Sequence, residues 1–136
     1  MAITAQDLVA AAKQQIKEID IKTAQNQLDS SLILDVREPA EFAAGHLPGA
    51  VNIPRGVLEF KIDSLPDFQG KQQAAIVVYW QTGGRSALAA QALNQLGYEQ
   101  AVSMAGGFKV WSENGLPLGW SYFYSYRQMA VGRAFF

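Results

Sequence analysis

The apolar positions of this chain switch repeatedly between a helical period and a strand period. Near the start, Ala5, Leu8, Val9, Ala12 and Ile16 fall on one helical face, behind Thr4 and Asp7 in a capping-box arrangement. A first helix is predicted to about Lys17. Glu18 to Asp20 reads as a short strand, and Asp20 is placed to cap a small helix carrying Ile21, Ala24 and Leu28. Leu32 to Val36 is an apolar run of strand length. Pro39 marks a helix start and Gly45 its end. Ala50 to Ile53 predicts another strand, stopped by Pro54. A helix holding Leu58, Ile62 and Leu65 follows, then a loop from Pro66 to Gly70.

The densest signal lies at Ile76 to Ser86. Ile76 to Tyr79 is β-branched and aromatic, as expected of a strand covered on both faces. Gly83-Gly84 predicts a sharp turn through positive φ. From Arg85 the period becomes helical, with Ala89, Ala92, Leu93 and Leu96 on one face and Gly97 as the stop. Ala101 to Met104 is a last strand, and Gly106-Gly107 turns it into a helix with Phe108 and Trp111, ending near Asn114-Gly115. Strands and helices thus alternate from Glu18 to Gly115, which predicts a parallel sheet with helices on both faces. Ligands of such sheets bind beyond the carboxyl ends of the strands, where Trp80 to Ser86 lies. A glycine loop feeding a helix N-terminus gathers free N–H groups and the positive end of a dipole, an anion site.

Composition narrows the reading. The chain has 136 residues, 49% of them apolar and 17% charged, as in one globular domain, and its net charge of −1 gives no general affinity for nucleic acid or anionic lipid. It has no cysteine, so disulfides, thiolate metal sites and thiol chemistry are excluded within it. No cluster has metal-ligand spacing, and neither a metal nor another cofactor is expected. No segment reads as a signal peptide or transmembrane span, so a cytoplasmic location is the default.

Several motifs now align with a known family. Asp35-Val36-Arg37-Glu38-Pro39 with Glu41-Phe42, then Gly45-His46-Leu47-Pro48-Gly49-Ala50 with Asn52-Ile53-Pro54, resembles the first half of a rhodanese domain. Thr82-Gly83-Gly84-Arg85-Ser86, with Gly106-Gly107 and Trp111, resembles the second half. The resemblance spans about Glu18 to Leu118 and implies a five-stranded parallel sheet flanked by helices. It also implies transfer of a sulfane sulfur from a donor such as thiosulfate to a thiophilic acceptor, through a cysteine persulfide. The family's cysteine opens the loop and in many members stands four residues before a basic residue. Here Gln81 to Gly84 separate position 80 from Arg85. The related phosphatases use a loop one residue longer, so this length favours sulfur over phosphate.

Position 80, however, is Trp80. A persulfide needs a thiolate, and indole offers only an N–H donor. The hydroxyls of Thr82 and Ser86 form no stable sulfane-sulfur carrier. Sulfur transfer is therefore expected to be absent. Trp80 is expected to occupy or cover the anion pocket, unless it is simply a packing residue at a strand end. The resemblance assigns the loop Gln81, Thr82, Gly83, Gly84, Arg85 and Ser86 to a thiosulfate-like anion, with Arg85 holding its charge. Asp35 and Arg37 are supporting candidates, as a structural ion pair or as contacts to the loop backbone. His46, in a Gly-His-Leu-Pro-Gly turn, reads as structural. The expected organisation is an N-terminal helix (1–17), a rhodanese domain (18–118) and an aromatic tail (119–136). In the tail Trp120, Tyr122, Tyr124 and Tyr126 recur at period two. They either pack on the parent domain, stay partly disordered, or form an arm for self-association or a protein partner. A catalytically silent binding module is thus the alternative to a sulfurtransferase scaffold.

Overall fold

The computed structural model describes residues 2–120, so the tail expectation beyond Trp120 lies outside the described residues. Five strands form one all-parallel sheet in the order β1-β5-β4-β2-β3: β1 (Glu18–Ile19), β2 (Leu32–Asp35), β3 (Val51–Asn52), β4 (Ile76–Tyr79) and β5 (Ala101–Met104). The helices are α1 (Ala5–Gln15), α2 (Ile21–Asn26), α3 (Pro39–Ala43), α4 (Leu58–Lys61), α5 (Gly84–Gln95) and α6 (Gly107–Glu113).

Strand alternation sorts the side chains into two cores. Leu34, Ile76, Val78 and Ala101 point to the layer holding Leu58, Ile62, Ala89 and Leu93 of the α4 and α5 side. Ile33, Val77, Tyr79 and Met104 point to the opposite layer, with Ala24 of α2 and Trp111 of α6. This is why β4 reads as an unbroken apolar run: all four of its residues are buried. The chain passes from β2 outward to β3, then returns to β4 and continues to β5 on the other side. That reversal falls between β2 and β4, and ligands of such sheets bind at the carboxyl ends of the strands beside it.

Two sequence expectations change. The helix expected across Leu58 to Leu65 is split, with 3-10 turns at Arg55–Val57 and Ile62–Ser64 around a single α-turn. Pro66 forces its predecessor out of the helical region, and Leu65 sits at φ −89° and ψ 130°. The first helix ends at Gln15, and its expected apolar face is only partly used. Ala12 is fully buried, whereas Leu8 is 49% exposed. α1 lies on the outside of α5, and a helix resting on one other helix buries a narrow stripe.

Candidate active-site loop

The loop between β4 and α5 is held from behind by α6. The carbonyls of Trp80 and Gln81 accept the N–H groups of Phe108 (2.8 Å) and Lys109 (3.0 Å) from the first turn of that helix. A peptide's N–H points opposite to its carbonyl, so the N–H groups of Gln81 and Thr82 turn away from α6. Among the described residues the N–H groups of residues 81–86 find no backbone acceptor. They form a run of free donors at the positive end of α5. Ser86, fully buried, donates its hydroxyl to Gly83 O (3.3 Å) and accepts from Ser103 of β5 (2.9 Å).

The positive φ expected at Gly83-Gly84 is not there. Gly83 has φ −97°, and Gly84 is the first residue of α5. Positive φ is found instead at Gly106 (82°) and Gly107 (65°), in the turn that grips the loop. A Cβ on Gly107 would stand 2.5 Å from both Trp80 O and Thr82 O, so only glycine lets the two backbones meet. On Gly84 a Cβ would meet Val9 Cγ2 at 3.7 Å, an ordinary contact. Gly107→Ala is therefore expected to lower stability by about 2–4 kcal/mol in denaturant unfolding, against less than about 1 kcal/mol for Gly84→Ala. Equal costs at the two positions would contradict this reading of the loop. From the sequence, Gly106-Gly107 reads as a structural turn. Its glycine pair was visible, but its contact with the loop was not.

Trp80 is half-buried and packs against the α4–α5 core. Its Cζ3 lies 3.9 Å from where a Cβ of Gly84 would stand. The Arg85 guanidinium carbon is 5.1 Å from the indole centroid, within cation–π range. The indole thus lies back on the first turn of α5, with the exposed Arg85 beside it.

Asp35 and Arg37 meet at the end of β2. The Arg37 guanidinium is 3% exposed; its Nη2 donates to Asp35 Oδ2 (2.8 Å) and Gly45 O (2.7 Å), and its Nε also reaches the carboxylate. Burial pulls the guanidinium pKa down, but the hydrogen bond and charge of Asp35 more than reverse this and leave it above the ordinary value. Arg37 also covers the Phe108 ring at 4.1 Å, which links this pair to the residue whose N–H holds Trp80 O. Asn52, quoted in a sequence motif but given no role there, donates to the carbonyls of Asp35 (3.0 Å) and Arg37 (2.9 Å). Tyr79 is fully buried, and burial followed by the nearby Asp35 charge raises its phenol far above the usual range. It stays neutral, and its oxygen accepts the Leu47 N–H (3.1 Å).

His46 stands away from the loop. Its ring stacks on Phe42 with centroids 3.7 Å apart, and Nδ1 lies 2.8 Å from Phe42 O. Its backbone forms an antiparallel bridge with Gly119, and Trp120 Nε1 donates to Ala44 O (3.1 Å). Burial holds the His46 pKa below 6.5 despite the Phe42 carbonyl. The unfolded chain therefore binds more protons in that range, and this residue's contribution makes stability fall as pH drops through its ordinary value. His46→Gln is expected to flatten the loss of stability between about pH 7 and 5. An unchanged slope in pH-dependent unfolding would contradict that. Among the described residues no group of His, Asp or Glu is arranged to hold a metal, and no helix is long and apolar enough to cross a membrane. A cleft of about 280 Å³ beside Ser31 and Lys71 opens at the amino ends of β2 and β4, remote from the loop.

A family model of the rhodanese-like domain matches residues 12–114. A sulfurtransferase of Allochromatium vinosum is 30% identical over 106 residues, which are 76% of this chain and 94% of that one. Among solved structures, a Rhodopseudomonas palustris protein of unknown function, described as a possible tyrosine phosphatase, has a TM-score of 0.77 at 29% identity. That alignment covers 88% of this chain and 96% of that one. The human single-domain sulfurtransferase has a TM-score of 0.64 at 32% identity, over 71% of this chain and 95% of that one. Sheet order, loop position and these matches agree that the chain belongs to the rhodanese-like domain family, whose relatives include sulfurtransferases.

Proposed function

We propose that this chain is a rhodanese sulfurtransferase scaffold that does not itself carry sulfur. The observation that carries the reading is Trp80 at the mouth of the loop, in a sequence with no cysteine. The family reaction needs a thiolate to take the outer sulfur of thiosulfate and expel sulfite. Nothing in the loop supplies one. The free N–H groups of residues 81–86 and the Arg85 guanidinium are the groups suited to a thiosulfate-like anion. Asp35 and Arg37 act as supports beneath them. Trp80, lying on the start of α5, covers part of this surface and weakens anion binding. The loop length, with four residues between positions 80 and 85, speaks against phosphatase chemistry.

The second reading is a non-catalytic binding or regulatory module in the cytoplasm. Two observations favour it: the exposed Arg85 beside Trp80, and Trp120, which is 55% exposed where the aromatic tail begins. In this reading residues 1–17 are an added helix, 18–118 the domain and 119–136 a contact arm for a second copy or a protein partner. The assay that tests the main reading compares thiocyanate formation from thiosulfate and cyanide by the unaltered chain and by Trp80→Cys.

A further inference from the structure

The first helix ends at Gln15 and lies mostly ahead of the family match, which begins at residue 12. Even so, it reaches the loop. A Cβ on Gly83 would stand 3.7 Å from Lys13 Nζ and 4.0 Å from Glu18 Oε2. Lys13 and Glu18 form an ion pair at 3.6 Å, with side chains 41% and 31% exposed. At that separation the contact is an ion pair longer than a hydrogen bond. Next to Gly83, the N–H groups of residues 81–86 have no backbone acceptor among the described residues.

We infer that Lys13, near the C-terminus of α1, is a second cation of the anion loop and that Glu18 tunes it. This rests on the reading of residues 81–86 as an oxyanion site. An ammonium beside the loop lowers the energy of a divalent oxyanion there, and the carboxylate of Glu18 opposes it. Both groups are partly solvated, so each effect is a modest factor and fades with salt. A merely structural ion pair behaves differently, because breaking it from either side has the same consequence.

That difference gives the test. In the Trp80→Cys chain, KM for thiosulfate is measured at low and high salt, and sulfate binding is followed through the Gly83 and Gly84 amide resonances. Lys13→Met is expected to raise KM and weaken sulfate binding about threefold, Glu18→Gln to lower KM and tighten sulfate binding about twofold, and Lys13→Arg to retain the starting values. The differences shrink as salt rises. Shifts of the same sign for Lys13→Met and Glu18→Gln, or no shift for either, overturn the inference. So does a Trp80→Cys chain whose Gly83 and Gly84 amides ignore sulfate. Failure of the sulfurtransferase reading is separate: it appears as absent turnover in Trp80→Cys, while the sulfate titration still reports on Lys13.

Discussion

Trp80→Cys is expected to raise thiosulfate:cyanide sulfurtransferase turnover at least about 100-fold over that of the unaltered chain. The loop needs no rebuilding for this. Its carbonyls at Trp80 and Gln81 are already tied to α6, and its N–H groups at residues 81–86 have no competing backbone acceptor among the described residues. A thiolate at position 80 would stand at the N-terminus of α5, which lowers a thiol's pKa and favours the nucleophilic form. It would attack the outer sulfur of thiosulfate and release sulfite. Cyanide would then take that sulfur as thiocyanate and return the thiolate. Trp80→Ser is the control, since an alkoxide does not hold sulfane sulfur, and it is expected to stay at background. The gain costs stability, about 1–2 kcal/mol, because Trp80 packs against the α4–α5 core from a half-buried position.

Asp35→Ala is expected to destabilise the fold by about 3–5 kcal/mol, the largest loss among the substitutions considered. The carboxylate is fully buried and accepts the Arg37 backbone N–H (2.8 Å) as well as its Nε and Nη2. Removing it leaves a guanidinium that is 3% exposed with Gly45 O as its remaining acceptor. Breaking one side of such a pair strands a charge, whereas replacing both sides does not. Asp35→Leu combined with Arg37→Met is therefore expected to recover most of the loss. Chemical denaturation of the three variants checks this. A double variant as unstable as Asp35→Ala would show that geometry, not the stranded charge, sets the cost.

The sheet was legible because parallel strands buried on both faces read as plain apolar runs. Leu32 to Asp35 and Ile76 to Tyr79 are such runs, and the helices around them announce themselves by Asp20, Pro39 and Gly97. The loop position was legible because the carboxyl end of a central strand followed by Gly83-Gly84 has few other uses. What stayed hidden depends on contacts far apart in sequence. The Gly107 backbone fits against Trp80 and Thr82, Ser103 reaches Ser86, and Lys13 lies beside Gly83. No local pattern encodes such meetings. The misplaced positive φ has the same origin. A glycine pair signals freedom, but whether that freedom serves φ or close approach is decided by what packs on it. Leu8 was misplaced because amphipathicity does not say how wide a surface a helix will find.

We propose that position 80 alone separates this chain from a persulfide-forming enzyme. Intact-mass measurement after incubation with thiosulfate tests it most directly. The unaltered chain is expected to keep its sequence mass, while Trp80→Cys gains the mass of one sulfur and loses it on adding cyanide. A sulfur adduct on the unaltered chain, or none on a correctly folded Trp80→Cys, would overturn this role for position 80.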